Sequence, residues 1–336
     1  MSKLLSQMPQ LSRRHLLGSA GLLGLFATMP GYARAMATGD FALIRSQVEE
    51  YVASKKVAGM IVSLGFGAQP PALIGAGNLA LDIPVAVDAN SLWRVYSMTK
   101  PIAGMAAMIL IEQGKLGLDQ PIAEFIPEFA DMKVLTDPAN SLDSVAAKTL
   151  ITPRHLMTHT AGLGYNIVTK GPLLEEYNRL GINPAAVSKT PIPGFPMPAP
   201  TPPIDEFARR VAALPLIAEP GTLWSYSIGL DVLGYVIQVA SGMDLGAFIQ
   251  KNLFDPLGMT SSYWTVPQSE VPRLSTNYVP FAGALIPVDP AQDSIFATPP
   301  AFPFGGAGLV SSARDYDRFL AMLVGKGQLD GTRVMS

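Results

Sequence analysis

Leu43, Ile44, Val48 and Val52 fall near one face of a 3.6-residue repeat and predict a helix over Phe41 to Lys55. Ala58 to Phe66 and Ala72 to Leu79 read as two strands, with Gly67, Gln69, Pro70 and Pro71 as the turn between them. Ile102 to Ile111 is apolar nearly all round, which predicts a buried helix. Pro101 is tolerated in its first turn and Gly114 supplies its stop. Leu116-Gly117-Leu118-Asp119 reads as a turn into a helical stretch from Ile122 to Phe129. Thr152 caps a short helix to Thr158 with Pro153 at its first position, and Gly162 and Gly164 end it. Further helices are predicted over Ile204 to Leu214, Asp231 to Ser241, Phe248 to Met259 and, amphipathic, Ser312 to Val324. Phe304 to Val310 is glycine-rich and reads as a strand. Asn183 to Pro203 carries eight prolines, so it is neither helix nor central strand. The helical pattern resumes at Ile204 without a change in composition, which favours a stiff surface loop over a linker. A helix, paired strands and then a long helical middle predict an α+β architecture. No internal repeat is visible.

The N-terminus is set apart from this pattern. Arg13-Arg14 precedes a run that stays apolar to Met29, and Ala33-Arg34-Ala35 offers a small-residue cleavage site. Residues 1–35 therefore read as a secretory signal of the twin-arginine type, the run being short for a membrane span, with an ordinary membrane anchor as the alternative. The expected partner is the twin-arginine export machinery. The expected location is periplasmic or secreted, with the folded domain covering 36–336. Of the 336 residues 49% are apolar and 15% charged, which suits a globular enzyme with a large core and argues against disorder. A net charge of −2 with no basic block after the signal gives nucleic acid binding no electrostatic support. The absence of cysteine excludes disulfides, zinc thiolates and a Cys nucleophile. His15, His155 and His159 are the only histidines, too few for a His-rich metal site. No Gly-x-Ser-x-Gly elbow accompanies them.

Candidate chemistry concentrates at Ser97-Met98-Thr99-Lys100, the only place where a serine stands three residues before a lysine. One helical turn puts positions i and i+3 on the same face, so the hydroxyl and the amine can meet locally. A serine hydroxyl needs a neighbouring base to become a nucleophile. A lysine can be that base where burial disfavours its ammonium form. The start of a buried helix also favours developing negative charge. The same residues fit a plain helix cap by Ser97 or Thr99 with Lys100 in solvent. A second cluster, Pro220-Gly221-Thr222-Leu223-Trp224-Ser225-Tyr226-Ser227, follows a turn. A tyrosine near lysine can act as a general base, but on residues alone Tyr226 reads as a core tyrosine with a satisfied hydroxyl. His159 reads as structural.

The order of these pieces carries a resemblance. Ser97-Met98-Thr99-Lys100-Pro101 is followed by Leu116-Gly117-Leu118-Asp119-Gln120-Pro121. Then come Arg154-His155-Leu156-Met157-Thr158-His159-Thr160-Ala161-Gly162-Leu163, Pro220-Gly221, Tyr226-Ser227 and Asp231-Val232-Leu233-Gly234. From about Phe41 onward the chain resembles the serine β-lactamase and penicillin-binding-protein-like superfamily, and most of all the class C β-lactamase-related family VIII carboxylesterases. The resemblance implies an antiparallel sheet flanked by helices plus a mainly helical domain, with the active site between them. It implies Ser97 as acylated nucleophile, Lys100 as its partner and Tyr226 as proton relay, with no metal or cofactor. The backbone N–H of Ser97 would supply one oxyanion donor.

Two departures from the pattern shape the expectation. Lactamase relatives usually carry Asn two residues after the tyrosine; here Ile228 stands there, which tilts the reading toward esters. Nothing after Val310 matches the Lys-Thr-Gly, His-x-Gly or Trp-Gly-Gly motif of a terminal strand, so a C-terminally short product lacking those strands is expected. Loss of the second oxyanion donor that such a strand carries would cost ~3 kcal/mol of transition-state stabilisation. The expected activity is a carboxylesterase on short-chain esters. The alternatives are a β-lactamase or D-Ala-D-Ala carboxypeptidase, and a catalytically impaired relative or binding protein. The expected substrate is a small-molecule ester or lactam.

Overall fold

A computed structural model describes residues 41–66, 69–183, 187–192 and 199–336. The twin-arginine leader lies outside the described residues, as do Pro184, Pro193, Pro196 and Pro198 of the proline-rich segment.

Helix α1 (Ala42–Ala53) leads into an antiparallel pair, β1 (Gly59–Phe66) and β2 (Gln69–Gly77). Phe41, Val48 and Ile74 form a small core between the helix and the pair, while Leu43 points outward. Gln69, Pro70 and Pro71 belong to β2 and not to the turn expected there. Among the described residues β2 pairs only with β1, so its outer edge needs no backbone donors. A register shift between Leu64 and Phe66 accommodates the two prolines.

Strand β3 (Leu92–Arg94) passes through a 3₁₀ turn, Tyr96–Met98, into α2 (Thr99–Glu112). Ile102, Ala103, Ala106, Ala107, Ile109 and Leu110 of α2 are buried, as the all-round apolar pattern requires. Ile122 to Phe129 is not one helix but two 3₁₀ turns, Ile122–Glu124 and Pro127–Phe129. Pro127 has no N–H to continue a helix, and it forces Ile126 out of the helical region, at φ −132°. A short pair, β4 (Lys133–Leu135) with β5 (Ser144–Ala146), precedes α3 (Pro153–Met157). Thr152 caps α3, and His155 completes the reciprocal capping box.

Next come α4 (Pro172–Leu180), α5 (Ile204–Ala212) and α6 (Gly229–Ser241), the last packed against α2. The predicted helix after it is broken into α7 (Leu245–Ile249), a wide π turn over Gln250–Phe254, and α8 (Asp255–Leu257). Pro256 supplies no donor there, so the regular ladder cannot run through. A hairpin of β6 (Asn277–Phe281) and β7 (Ala284–Asp289) follows. Of the expected strand at Phe304 to Val310 only its last residue pairs, in β8 (Val310–Ser312) against β3. Of the glycines before it, Gly305 lies instead against the Leu230 carbonyl of α6 and Gly306 against the Asp231 side chain. Ser312 caps α9 (Ala313–Val324), which packs on β1 and is tied to it where Ser63 Oγ donates to Asp317 Oδ1 at 3.0 Å. A final pair, β9 (Gln328–Leu329) with β10 (Thr332–Arg333), completes an α+β fold of antiparallel strands flanked by helices around a mainly helical middle.

The main core surrounds α2 and α6, joining Ile102, Leu110, Val232, Val236, Phe207 and Phe254. A second core unites Leu92, Val266, Phe296 and Val310 beneath the strand that feeds α2. Beside it Arg94 is buried. Its Nε donates to Asp289 Oδ2 at 2.6 Å, its Nη2 to Ser294 Oγ at 3.0 Å, and its Nη1 to the Ser275 carbonyl. This pair pins the β6–β7 hairpin to the strand immediately before Ser97.

Candidate active site

Ser97 sits at a sharp junction between β3 and α2. Tyr96 takes φ +40°, a left-handed conformation that costs a non-glycine residue strain. The surroundings hold it there: Asn277 Nδ2 donates to its hydroxyl at 2.8 Å, and the edge of the Phe296 ring packs against it. Burial pushes its hydroxyl up to about 12. The chain then enters α2 with Ser97 exposed at its N-terminal end, where the helix dipole favours negative charge. Neither Ser97 nor Thr99 caps the helix. Thr99 is buried, and its Oγ1 accepts from the Leu309 N–H at 3.1 Å, bolting α2 to the glycine-rich segment.

The structure brings Ser97, Lys100 and Tyr226 together. Ser97 Oγ is 2.7 Å from Tyr226 Oη. Lys100 Nζ donates to Ser97 Oγ at 3.2 Å and to the Gly306 carbonyl at 2.7 Å. Lys100 is half-buried and does not extend into solvent. Its Nζ also lies 4.6 Å from the centre of the Tyr226 ring. Lys100 arrives by the local i, i+3 geometry, but Tyr226 comes from 129 residues away.

The segment that delivers Tyr226 is fastened along its length. Ile217 N–H donates to the Gly162 carbonyl at 2.7 Å, Gly221 N–H to Thr160 at 2.8 Å, and Ser225 N–H to His159 at 2.9 Å. Gly162 has φ +77°, and a Cβ there would lie 2.1 Å from the Ala218 carbonyl oxygen, so this contact requires glycine. His159, at φ +56°, accepts from the Ser227 N–H through Nδ1 at 3.1 Å, and its ring lies 4.7 Å from that of Tyr226. Burial, reinforced by the Lys100 charge, holds His159 down to about 4. It is therefore a neutral support for Tyr226 at neutral pH. Tyr165 packs edge-on to Tyr226 at 5.3 Å, and burial raises its hydroxyl above the usual tyrosine range.

Ile228 is fully buried in the main core, so that position offers the site no side chain. Exposed apolar residues stand beside Ser97 and Tyr226 along the chain instead: Met98 after Ser97, and Leu223 and Trp224 before Tyr226. Among the described residues no cluster of His, Asp or Glu could hold a metal ion. Two neighbours of the cluster were given no role by the residue pattern, Tyr165 and Asp231, although Asp231 opens the quoted Asp231-Val232-Leu233-Gly234 stretch. Asp231 is a fully buried carboxylate near Lys100, a lone acid within a largely apolar helical run.

The fold places the molecule in a class, the proteins built on the β-lactamase fold. The chain belongs to the family described as Beta-lactamase, whose profile matches residues 44–335. It is 34% identical to Protein Rv1367c of Mycobacterium tuberculosis over 265 residues, which cover 77% of this chain and 60% of that protein. It is also 34% identical to Esterase EstB of Burkholderia gladioli over 247 residues, covering 69% of this chain and 56% of EstB. The chain thus spans less than two thirds of the length of these curated relatives. Among solved structures it is similar to EstCE1, described as a hydrolase with promiscuous acyltransferase activity. That match has a TM-score of 0.68 and 25% identity, covering 87% of this chain and 74% of EstCE1.

Proposed function

We propose that the protein is a carboxylesterase that forms an acyl-enzyme on Ser97, with Lys100 and Tyr226 handling the proton. One observation carries this reading: a single exposed hydroxyl lies 2.7 Å from a phenol and 3.2 Å from an amine. Ser97 Oγ attacks the ester carbonyl while its proton passes to the Tyr226–Lys100 pair. The C–O bond to the alcohol then breaks, and the departing oxygen takes that proton. Water, activated by the same pair, cleaves the acyl-enzyme and releases the acid. The Ser97 N–H at the head of α2 is one donor to the oxyanion. Burial of Ile228 favours esters over lactams, because no polar side chain from that position meets a substrate amide. Exposed Met98, Leu223 and Trp224 suit an apolar acyl or alkoxy group. Transfer of the acyl group to an alcohol in place of water follows the same chemistry, and similarity to EstCE1 favours testing it.

The test is a covalent serine probe followed by mass spectrometry, alongside a chromogenic short-chain ester and a chromogenic cephalosporin. One adduct, on Ser97, and ester turnover lost in Ser97→Ala are expected. Equal ester rates in wild type and Ser97→Ala would overturn the reading in favour of a binding protein. Turnover of the cephalosporin in preference to the ester would move it to a β-lactamase. Export by the twin-arginine route to the periplasm or medium belongs to the same proposal and rests on Arg13-Arg14. Replacing both with Lys should retain the protein in the cytoplasmic fraction; unchanged fractionation would refute this.

A further inference from the structure

The Lys100 amine is held from behind as well as by Ser97. Its second acceptor is the carbonyl of Gly306, 206 residues away. The N–H of that same residue donates to Asp231 Oδ1 at 2.9 Å. Asp231 lies in the first turn of α6 and is 2% exposed. The approach is close: a Cβ on Gly306 would lie 2.6 Å from Asp231 Oδ2. Its neighbour Gly305 is packed as tightly against the Leu230 carbonyl, so the glycine segment cannot drift from α6.

We propose that Asp231 is a positioning residue that aims and charge-balances the Lys100 amine through the Gly306 peptide. This rests on the reading of Lys100 as a proton-handling group for Ser97. A carboxylate buried among apolar residues is expensive unless it is hydrogen-bonded and faces a positive charge. Asp231 has both, the Gly306 N–H and Lys100. Burial nonetheless pushes its carboxyl up to about 6, against the lowering pull of that N–H and of Lys100. The titratable groups that face it are Lys100 from α2 and Tyr165 from the segment after α3, while His159 and Tyr226 face Lys100 from the other side. The carboxylate stands opposite the amine across one peptide, and that peptide fixes where the amine points. A carboxylate serving only to fasten α6 to the glycine segment would do so equally well as an amide.

Two variants separate these roles. In Asp231→Asn the side-chain oxygen still accepts from Gly306, but the charge is gone. In Gly306→Ala the new methyl group drives the carboxylate and the peptide apart. The first readout is independent of catalysis: NMR titration of 15Nζ-labelled lysines, with Lys100 assigned by its loss in Lys100→Arg. Lys100 should lose its proton at lower pH in Asp231→Asn than in wild type, because the ammonium has lost an anionic partner. The second readout is the rate of Ser97 labelling by a fluorophosphonate across pH. Its acid limb should move to lower pH in Asp231→Asn, with the plateau within about 10-fold of wild type. In Gly306→Ala the plateau should fall by about 10-fold or more with little change in probe affinity. Superimposable lysine titrations in wild type and Asp231→Asn would overturn the proposal, whatever the activity. A shifted lysine titration in a wild-type protein that fails to label at Ser97 would leave Asp231 in its role and sink the esterase reading instead.

Discussion

Tyr226→Phe removes one oxygen and little else. The ring keeps its contacts with His159 at 4.7 Å, Tyr165 at 5.3 Å and the Lys100 amine at 4.6 Å. What is lost is the 2.7 Å hydrogen bond to Ser97 Oγ. In the resting protein that bond is worth about 0.5–1.5 kcal/mol, and part of it is recovered by water because Ser97 is exposed. The melting temperature should therefore move by only a few degrees. In the transition state the phenol oxygen is asked to carry the serine proton, and a positioned acid–base group contributes roughly 10²–10⁴-fold. At ~1.36 kcal/mol per decade this is ~2.7–5.4 kcal/mol of barrier, several times the resting hydrogen bond. The assay is kcat/KM on a chromogenic short-chain ester, with serine-probe labelling rates and calorimetry on the same samples. A loss of at least about 100-fold in both rates, with a nearly unchanged melt, is expected. A folded Tyr226→Phe protein within about threefold of wild type would refute the idea that this hydroxyl moves the proton, since a lost resting hydrogen bond alone accounts for that much.

Two further predictions concern stability. Asp289→Ala strands the buried Arg94 guanidinium and should cost about 3–5 kcal/mol, read from the denaturant midpoint. The paired change Arg94→Met with Asp289→Leu should recover most of that, and a single variant as stable as wild type would show the pair to be irrelevant. His159 is held down to about 4 in the folded protein, against an ordinary value near 6.5 when unfolded. Between those limits the unfolded chain binds a proton that the folded one refuses, so this group lowers stability as pH falls through about 6.5 toward 4. Asp231, raised to about 6, opposes it by taking up a proton in the folded state first. His159→Gln should therefore flatten the loss of stability over that acid window; parallel stability–pH curves for the two proteins would refute the assignment.

How far the fold was readable depended on whether the deciding contact was local. The α2 and α6 cores were plain in the apolar runs, because an all-round hydrophobic helix has nowhere else to go. Prolines misled in both directions. Pro70 and Pro71 read as a turn but sit in β2, because an edge strand can spare two donors. Pro127, by contrast, broke a stretch whose apolar spacing read as one helix. The glycines between Phe304 and Val310 read as a strand because glycine spacing says nothing of what the backbone leans on. It leans on the Leu230 carbonyl and the Asp231 carboxylate, and most of the segment forms no ladder.

The site divides along the same line. Ser97 and Lys100 were legible from their spacing because one helical turn suffices to bring them together. Tyr226 had no such spacing. Residue chemistry alone favoured a core tyrosine, and only the order of surrounding motifs pointed to its place beside Ser97, which the hydrogen bonds of the 217–225 segment to residues 159–162 explain. Asp231 stood in a quoted motif yet carried no message, because a carboxylate's consequence depends on what is buried with it. Position 231 acquires one only when the glycine segment, some 75 residues later, folds back over α6 and presents a carbonyl to Lys100 and an N–H to Asp231 from the same residue. A single peptide then couples a buried carboxylate to a half-buried amine. The surroundings of Ser97 are thus set by the packing of α2, α6 and the glycine segment against one another, and a change at any of the three should be felt there.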